Sequence, residues 1–252
     1  MTAAPLTLTG ERTLPGIERE NYWFRRHEAA YLAVAPFCRG ALVLDAGCGE
    51  GYGAALLRRS GAARTVAVDL TADVVAHVAA RYPALDVVRA DLHRLPLRDG
   101  AVEVVVTSQT VEHLQDQAAF VAECARVLRP SGTLVVTTPN RLTFSPGLVS
   151  PVNPFHTREL SPDELVDLLS PHFAVVRLLG VSTGRRLRRW ERRHGSLVSA
   201  QLAAEPSEWP DALRRVVRSV TAADFAIGPG GVDSSLDLVA VAVRRTARTA
   251  AP

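Results

Sequence analysis

The chain has 252 residues, 47% hydrophobic and 22% charged, which suits one large globular domain or two small ones. No stretch approaches the ~18 uninterrupted apolar residues of a membrane helix, and Met1-Thr2-Ala3-Ala4-Pro5 lacks the basic-then-apolar order of a secretory signal, so the expectation is a cytoplasmic protein with no membrane insertion. The net charge of +3 comes with no lysine among 29 basic residues and almost no isoleucine, a bias of GC-rich coding more than a nucleic-acid footprint, and the three cysteines (Cys38, Cys48, Cys124) form no C-x-x-C pair, which points to a reducing compartment without a zinc site.

Residues 1–20 are polar and turn-rich and read as a flexible surface arm. Apolar residues then recur at helical spacing from Asn21 to Phe37, a lead-in helix. Strands and helices alternate after that. Leu42 to Asp45 predicts a buried strand, Tyr52 to Arg59 a helix, Thr65 to Asp69 a strand and Ala72 to Arg81 a helix. A third strand contains Val87-Val88, and a fourth spans Val102 to Val106. Gln117 to Leu128 predicts a helix closed by Arg129-Pro130-Ser131-Gly132, and Thr133 to Thr138 a fifth strand. Pro162 to Ser170 reads as a helix, Phe173 to Val181 as a strand, 184–224 as a helical insertion and Leu236 to Val243 as the last strand. Alternation with near-continuous Val and Leu in the strands argues for an α/β domain whose mostly parallel sheet is covered by helices on both faces. The expected division is an arm and lead-in helix over 1–40, a ligand-binding core over 41–140, and an acceptor-side segment over 141–252 of the same domain.

In Asp45-Ala46-Gly47-Cys48-Gly49-Glu50-Gly51-Tyr52-Gly53 a strand enters glycines and leaves into a helix. Glycine permits the tight turn and a close ligand. An acid before the loop would repel a pyrophosphate. It suits a ligand whose near end is a cationic amino acid, such as S-adenosylmethionine (SAM). Asp69 ends the second strand, where a carboxylate can accept both ribose hydroxyls. Asp91 ends the third in Arg89-Ala90-Asp91-Leu92, placed for an adenine amino group with Leu92 against the ring. Each aspartate alone could be a strand-end cap. Three on one rim form a ligand edge.

D-x-G-C-G-x-G, the acid ending strand two, the A-D-L acid and L-R-P-S-G-T-L before strand five resemble the class I SAM-dependent methyltransferases over residues 22–140. The resemblance implies a Rossmann-like seven-stranded sheet with a reversed last strand. It also implies SAM contacts from Asp45, Gly47, Cys48, Gly49, Asp69, Leu70, Asp91, Leu92 and Gln109.

Ser108-Gln109-Thr110-Val111-Glu112-His113-Leu114 follows strand four on the same rim. A hydroxyl acceptor needs a base, so Glu112 and His113 are catalytic candidates. The plainer alternative is that His113 packs on the cofactor while Glu112 caps backbone. Some family members, small-RNA 2′-O-methyltransferases among them, carry E-x-x-E-H here and bind Mg²⁺, the RNA enzymes with a later histidine. The resemblance implies a similar site on Glu112, His113 and His156, with Gln109 in place of the first acid. Without a metal, His113 or His156 is the candidate base. His77, His93, His172 and His194 read as solvated. Arg185 to Arg193 reads as an exposed basic helix or as a rim for an anionic or polymeric acceptor, and Trp190 could stack on a sugar. Tyr22, Trp23 and Phe24 could cover the cofactor or pack in the core.

The framing segments resemble a narrower group. They are Gly10 to Pro15, Glu20 to His27, Thr138 to Gly147, Asn153 to Leu160 and Asp233 to Leu238. The group is the actinobacterial methyltransferases of methylglucose lipopolysaccharide synthesis, which implies as acceptor a sugar hydroxyl, that of a glucosyl unit of an intracellular polysaccharide or glycolipid. Rival readings are a natural-product or RNA methyltransferase, a non-catalytic SAM-binding module, and a nicotinamide-dependent oxidoreductase. Asp45 argues against the last. The sequence does not determine the oligomeric state.

Overall fold

The computed structural model describes residues 6–7 and 11–246. The elements in chain order are α1 (Asn21–Val34), β1 (Leu42–Ala46), α2 (Tyr52–Arg59), β2 (Arg64–Asp69), α3 (Ala72–Arg81) and β3 (Asp86–Arg89). Then come β4 (Val102–Ser108), α4 (Gln117–Val127), β5 (Leu128–Pro139), the short α5 (Arg141–Phe144) and α6 (Pro162–Leu169). The chain closes with β6 (Phe173–Thr183), α7 (Arg185–His194), α8 (Leu197–Leu202), α9 (Asp211–Ser219), β7 (Phe225–Gly228) and β8 (Asp237–Arg244). They form one eight-stranded sheet in the order β3-β2-β1-β4-β5-β8-β6-β7. β1 to β5 run parallel, and β8 is antiparallel to both of its neighbours.

This is the Rossmann-like sheet with a reversed last strand, with one strand more than expected. The addition is β7, an edge strand antiparallel to β6. It emerges from the far end of the helical insertion. Arg129 to Gly132 does not lie outside the sheet. Leu128 already pairs with Val102, and Ser131 takes φ 61° where the register slips between Val102 and Val104, so the turn residues form an irregularity inside β5.

Successive strand residues face opposite helical layers, and both layers are dry. Val43, Val104, Val135 and Val239 join α1, α2 and the insertion helices in one core. Leu44, Val105, Val136 and Ala240 join α4 and α6 in the other. Burial on both faces explains the unbroken valines of the strands. Asp116 caps α4 through the Ala119 N–H, and Ser161 and Glu164 form a reciprocal capping box on α6. Pro36 shortens the lead-in helix, which ends at Val34 and passes into a 3₁₀ turn. No helix among the described residues is long and apolar enough to cross a membrane.

The described part of the N-terminal arm is tied down, contrary to the flexible arm expected. Leu14 is buried, Glu18 pairs with Arg218 at 2.7 Å, and Asn21 donates to the Val217 carbonyl at 2.7 Å. Residues 1–5 and 8–10 lie outside the described residues. Arg26 of α1 reaches the start of β8, with its Nε 2.9 Å from Asp237 Oδ2 and both side chains almost fully buried. Its guanidinium also lies 4.8 Å from the Trp23 ring centroid. Removing one partner of such a pair strands the other charge away from water, which costs about 3–5 kcal/mol. Arg26→Ala should therefore lose stability of that order in urea unfolding. A loss below about 1 kcal/mol would show that the pair does not fasten α1 to the sheet.

Candidate active site

Strand registry sets the rim. Asp45 lies in the last rungs of β1 and Asp69 ends β2, its parallel neighbour, so both carboxylates stand at the same end of the sheet. β3 stops at Arg89, and Asp91 follows it two residues later. The loop after β1 folds back on β2, because the Gly47 and Cys48 amides both donate to the Val68 carbonyl at 3.0 and 2.9 Å. Gly47 has φ +83°, and a Cβ there would overlap the Thr110 side chain. Gly51 has φ +94° with Val78 and Tyr82 against it. Neither position accepts a side chain. Asp69 accepts from the Gly49 amide at 3.1 Å and from the Thr71 amide at 3.0 Å. Glu50 accepts from Tyr82 Oη and bonds His77 Nε2. This ties the loop to α3 and corrects the solvated reading of His77.

Asp45 is fully buried beneath the loop. Tyr31 Oη donates to it at 3.1 Å. Burial pushes its pKa up to about 7, the Tyr31 hydroxyl and the Ala54 amide hold it down, and the negative Asp69 raises it. Its partners are a hydroxyl and an amide, not a cation. A buried carboxylate without a counter-charge among the described residues, beneath a loop whose Gly49 stands open, fits a cationic nucleoside-bearing ligand of the SAM type.

Glu112 and His113 occupy a 3₁₀ turn directly after β4. Glu112 is buried. Its Oε2 accepts from Thr138 Oγ1 at 2.9 Å, and its Oε1 has no partner. Burial raises its pKa to about 8. His113 Nδ1 lies 2.9 Å from the Phe155 carbonyl, which can only accept, so the proton sits on Nδ1 and Nε2 keeps the lone pair. Burial lowers the His113 pKa, so the ring is neutral near pH 7. His156 crosses it edge to face at 4.9 Å. Both His156 nitrogens are engaged. Nδ1 donates to Glu159 Oε1 at 2.7 Å, and Nε2 accepts from Asn153 Nδ2 at 3.0 Å. The Phe155 amide on Asn153 Oδ1 fixes that amide's orientation. The ligand atoms of Glu112, His113 and His156 all lie within 4.8 Å of one another.

A cavity of about 420 Å³, within the usual range for ligand pockets, gathers Gly47, Cys48, Gly49, Gln109, Glu112, His113 and His156 in its wall. Asp45, Asp69, Leu70, Asp91 and Leu92 are not in that wall. Asp45 lies under it. Leu70 is 61% exposed, and Asp91 is exposed and bonded to His93 at 2.8 Å. Leu92, expected against an adenine ring, is buried in the core beneath β1 and β4. Gln109 has φ 53° and bonds Asp237 rather than turning to the Glu112 cluster. Of the aromatic triplet, Tyr22 is core, Trp23 lines the cavity and Phe24 meets Tyr52 edge-on at 5.0 Å. The arm contributes Glu11, Arg12 and Thr13 to the wall, and α8 contributes Leu202. The sequence reading missed Arg26, Tyr31, Thr138, Asn153, Glu159 and Asp237. Only the i, i+3 spacing of Asn153, His156 and Glu159 offered a signal.

A family model described as a methyltransferase domain matches residues 44–136. A Mycobacterium tuberculosis protein named "Probable S-adenosylmethionine-dependent methyltransferase" is 53% identical over 253 residues, 96% of this chain and 92% of the relative. A Mycolicibacterium smegmatis relative named in the same way is 51% identical, covering 95% of each chain. Among solved structures, the methyltransferase in a complex with the Haloferax volcanii Trm112 methyltransferase activator superposes with a TM-score of 0.64 at 18% identity. That match covers 92% of this chain and 95% of the other, and it bears on the fold.

Asp45 supplies a pH signature. Its folded pKa of about 7 stands above the ordinary 3.8, so the folded chain holds a proton that the unfolded chain releases, and stability falls as pH rises through that window. Asp45→Asn removes the effect. Between pH 5.5 and pH 8 the ligand-free variant should gain roughly 2 kcal/mol on the parent chain in denaturant unfolding. A pH-independent difference would contradict the buried charge.

Proposed function

The chain belongs to the class I SAM-dependent methyltransferases, and on that premise we propose that it methylates a sugar hydroxyl, a glucosyl unit of a polysaccharide or glycolipid. SAM, when bound, supplies a methyl already activated on a sulfonium. The residues to hold it are Gly47, Cys48 and Gly49 of the loop, with Asp45 beneath its cationic end, Asp69 toward the ribose, Leu70 and Asp91 toward the adenine, and Gln109 across the cavity, while Leu92 supports that end of the sheet from the core.

The observation that carries the acceptor reading is the tautomer of His113. Its Nδ1–H is committed to the Phe155 carbonyl, so Nε2 is the one nitrogen of that ring able to take a proton from an alcohol. A neutral alcohol needs that help, whereas a thiolate does not. We assign to the unpartnered Glu112 Oε1 the hydroxyl adjacent to the reacting one. His156, held between Glu159 and Asn153, braces the His113 ring and is a positioning residue. Polar groups interleaved with Trp23, Phe144 and Phe155 in the wall suit a saccharide, whose ring has polar edges and apolar faces. The resemblance of the framing segments to methyltransferases of methylglucose lipopolysaccharide synthesis supports the same substrate class.

Magnesium does not fit the cluster. The ion prefers oxygen ligands in octahedral geometry, and Glu112, His113 and His156 offer two imidazoles and one carboxylate. The His156 Nε2 lone pair is already taken by Asn153, and the Gln109 side chain is engaged by Asp237. The mechanism therefore uses the chain's own groups, and proton transfer rests on His113.

The test is methyl transfer from labelled SAM to a panel of glucosides and short glucans, with and without EDTA. Transfer to a glucoside that EDTA leaves unchanged is the expected result, and abolition by EDTA would refute the metal-free mechanism. His113→Ala should lower turnover at least about a hundredfold, in the range of general-base catalysis, while SAM affinity stays within about twofold. Full turnover by that variant removes His113 from the mechanism. Asp69→Ala should weaken SAM at least about tenfold in calorimetry, having lost both loop amides and a ribose partner. Burial lowers the His113 pKa, so kcat/KM should fall on the acid side with a midpoint below 6.5. A midpoint above 7 would assign the proton to another group.

A further inference from the structure

The insertion carries a second concavity, outside the cavity described above. A groove of about 410 Å³ lies between α7 and α9. Arg186, Arg189 and Arg193 recur at helical spacing along one face of α7, with Trp190 and His194 beside them, and Arg215 faces them from α9. Arg186 is fixed in place. It holds Asp224 through two bonds of 2.6 Å and the Ser219 hydroxyl and carbonyl at 2.9 and 3.0 Å.

The other three arginines are different. Among the described residues no carboxylate forms an ion pair with Arg189, Arg193 or Arg215, although twelve arginine–carboxylate pairs occur among them outside the groove. The single acid of α7, Glu191, is turned away to Thr183 and the Leu197 amide. Like charges aligned on one helical face repel one another. Folding alone gains nothing from that arrangement, whereas an anion in the groove would offset it. The planar forks of arginine suit phosphate oxygens. The indole of Trp190 and the imidazole of His194 stack at 4.7 Å with 25° between planes, so a flat aromatic surface borders the charges. Small Ala212 and Ser219 on α9 leave the room.

We infer that this groove is a second binding site, for a phosphomonoester carried on a ring, as in a sugar phosphate or a nucleotide. The arginines take the phosphate and the Trp190–His194 pair takes the ring. The inference stands on the groove alone and is independent of the acceptor proposed for the cavity.

Glucose 1-phosphate, AMP and inorganic phosphate, each titrated calorimetrically into the full chain saturated with SAM, test it. Saturable binding of a ring phosphate at least tenfold tighter than inorganic phosphate is expected, and the preference between the sugar and the nucleotide identifies the source. Arg189→Glu with Arg215→Glu should weaken that binding at least tenfold, with the thermal unfolding midpoint kept as evidence of folding. Arg94→Glu with Arg98→Glu changes net charge equally at exposed positions elsewhere and should stay within twofold. Equal losses in the two double variants would reduce the effect to net charge and overturn the site. So would the lack of saturable binding by any of the three probes. Inorganic phosphate bound as tightly as both ring phosphates would overturn the role of the aromatic pair.

Discussion

The rest of the molecule is arranged around carboxylates kept dry at one end of a parallel sheet. Asp45, Glu112 and Asp237 are all buried there, and burial raises all three pKa values. Arg26 is the one cation paired with any of them among the described residues. Low surrounding dielectric makes each unpaired charge costly. That cost is what the SAM and hydroxyl acceptor proposed for this site would relieve.

Two segments far apart in sequence bring this about. α1 supplies Arg26 to Asp237, Tyr31 to Asp45 and Trp23 to the cavity wall, so the lead-in helix is part of the site and not an appendage. The stretch after β5 supplies Asn153, Phe155, His156 and Glu159. The Phe155 carbonyl chooses the tautomer of His113, and Asn153 with Glu159 chooses that of His156. Neither histidine needs a metal to be oriented. The same stretch is anchored to the turn after β4, where the Glu112 carbonyl accepts from the Thr157 amide at 2.7 Å.

Local signals made the first half of the sheet and its helices legible. α2 and α3 begin and end where the glycine loop and the periodicity put them, since their limits depend on residues next to them in sequence. The rim position of Glu112 and His113 followed from their place just beyond a strand, and His156 from a motif. β7 was not legible. Phe225 to Gly228 is four residues long, too short for a pattern, and becomes a strand only because the edge of β6 opposite β8 is open to it. The turn-like Arg129 to Gly132 reads as an end because Pro and Gly commonly close a helix, yet here a bulge absorbs them. Arg26–Asp237 and Tyr31–Asp45 left no trace, because a pair across the fold has no spacing to detect. Asp91, expected to end the third strand, lies two residues beyond β3, and neither it nor Leu92 reaches the cavity wall. Leu92 turned inward because the core beneath β1 and β4 had room for it.

The insertion leaves the sheet after Thr183 and re-enters it at Phe225, and those two residues are partners on one rung between β6 and β7. Its exit and entry are thus stapled together by the ladder itself, with the Gly184 amide closing on the Asp224 carbonyl at 2.6 Å. Helices hung from such a closed doorway can be lengthened, trimmed or exchanged at an entropic cost that grows only with the logarithm of their length. The face that carries Leu202 and the arginine groove can therefore change while the parallel strands of the sheet stay in register. A chimera that swaps this excursion between relatives has a natural pair of splice points.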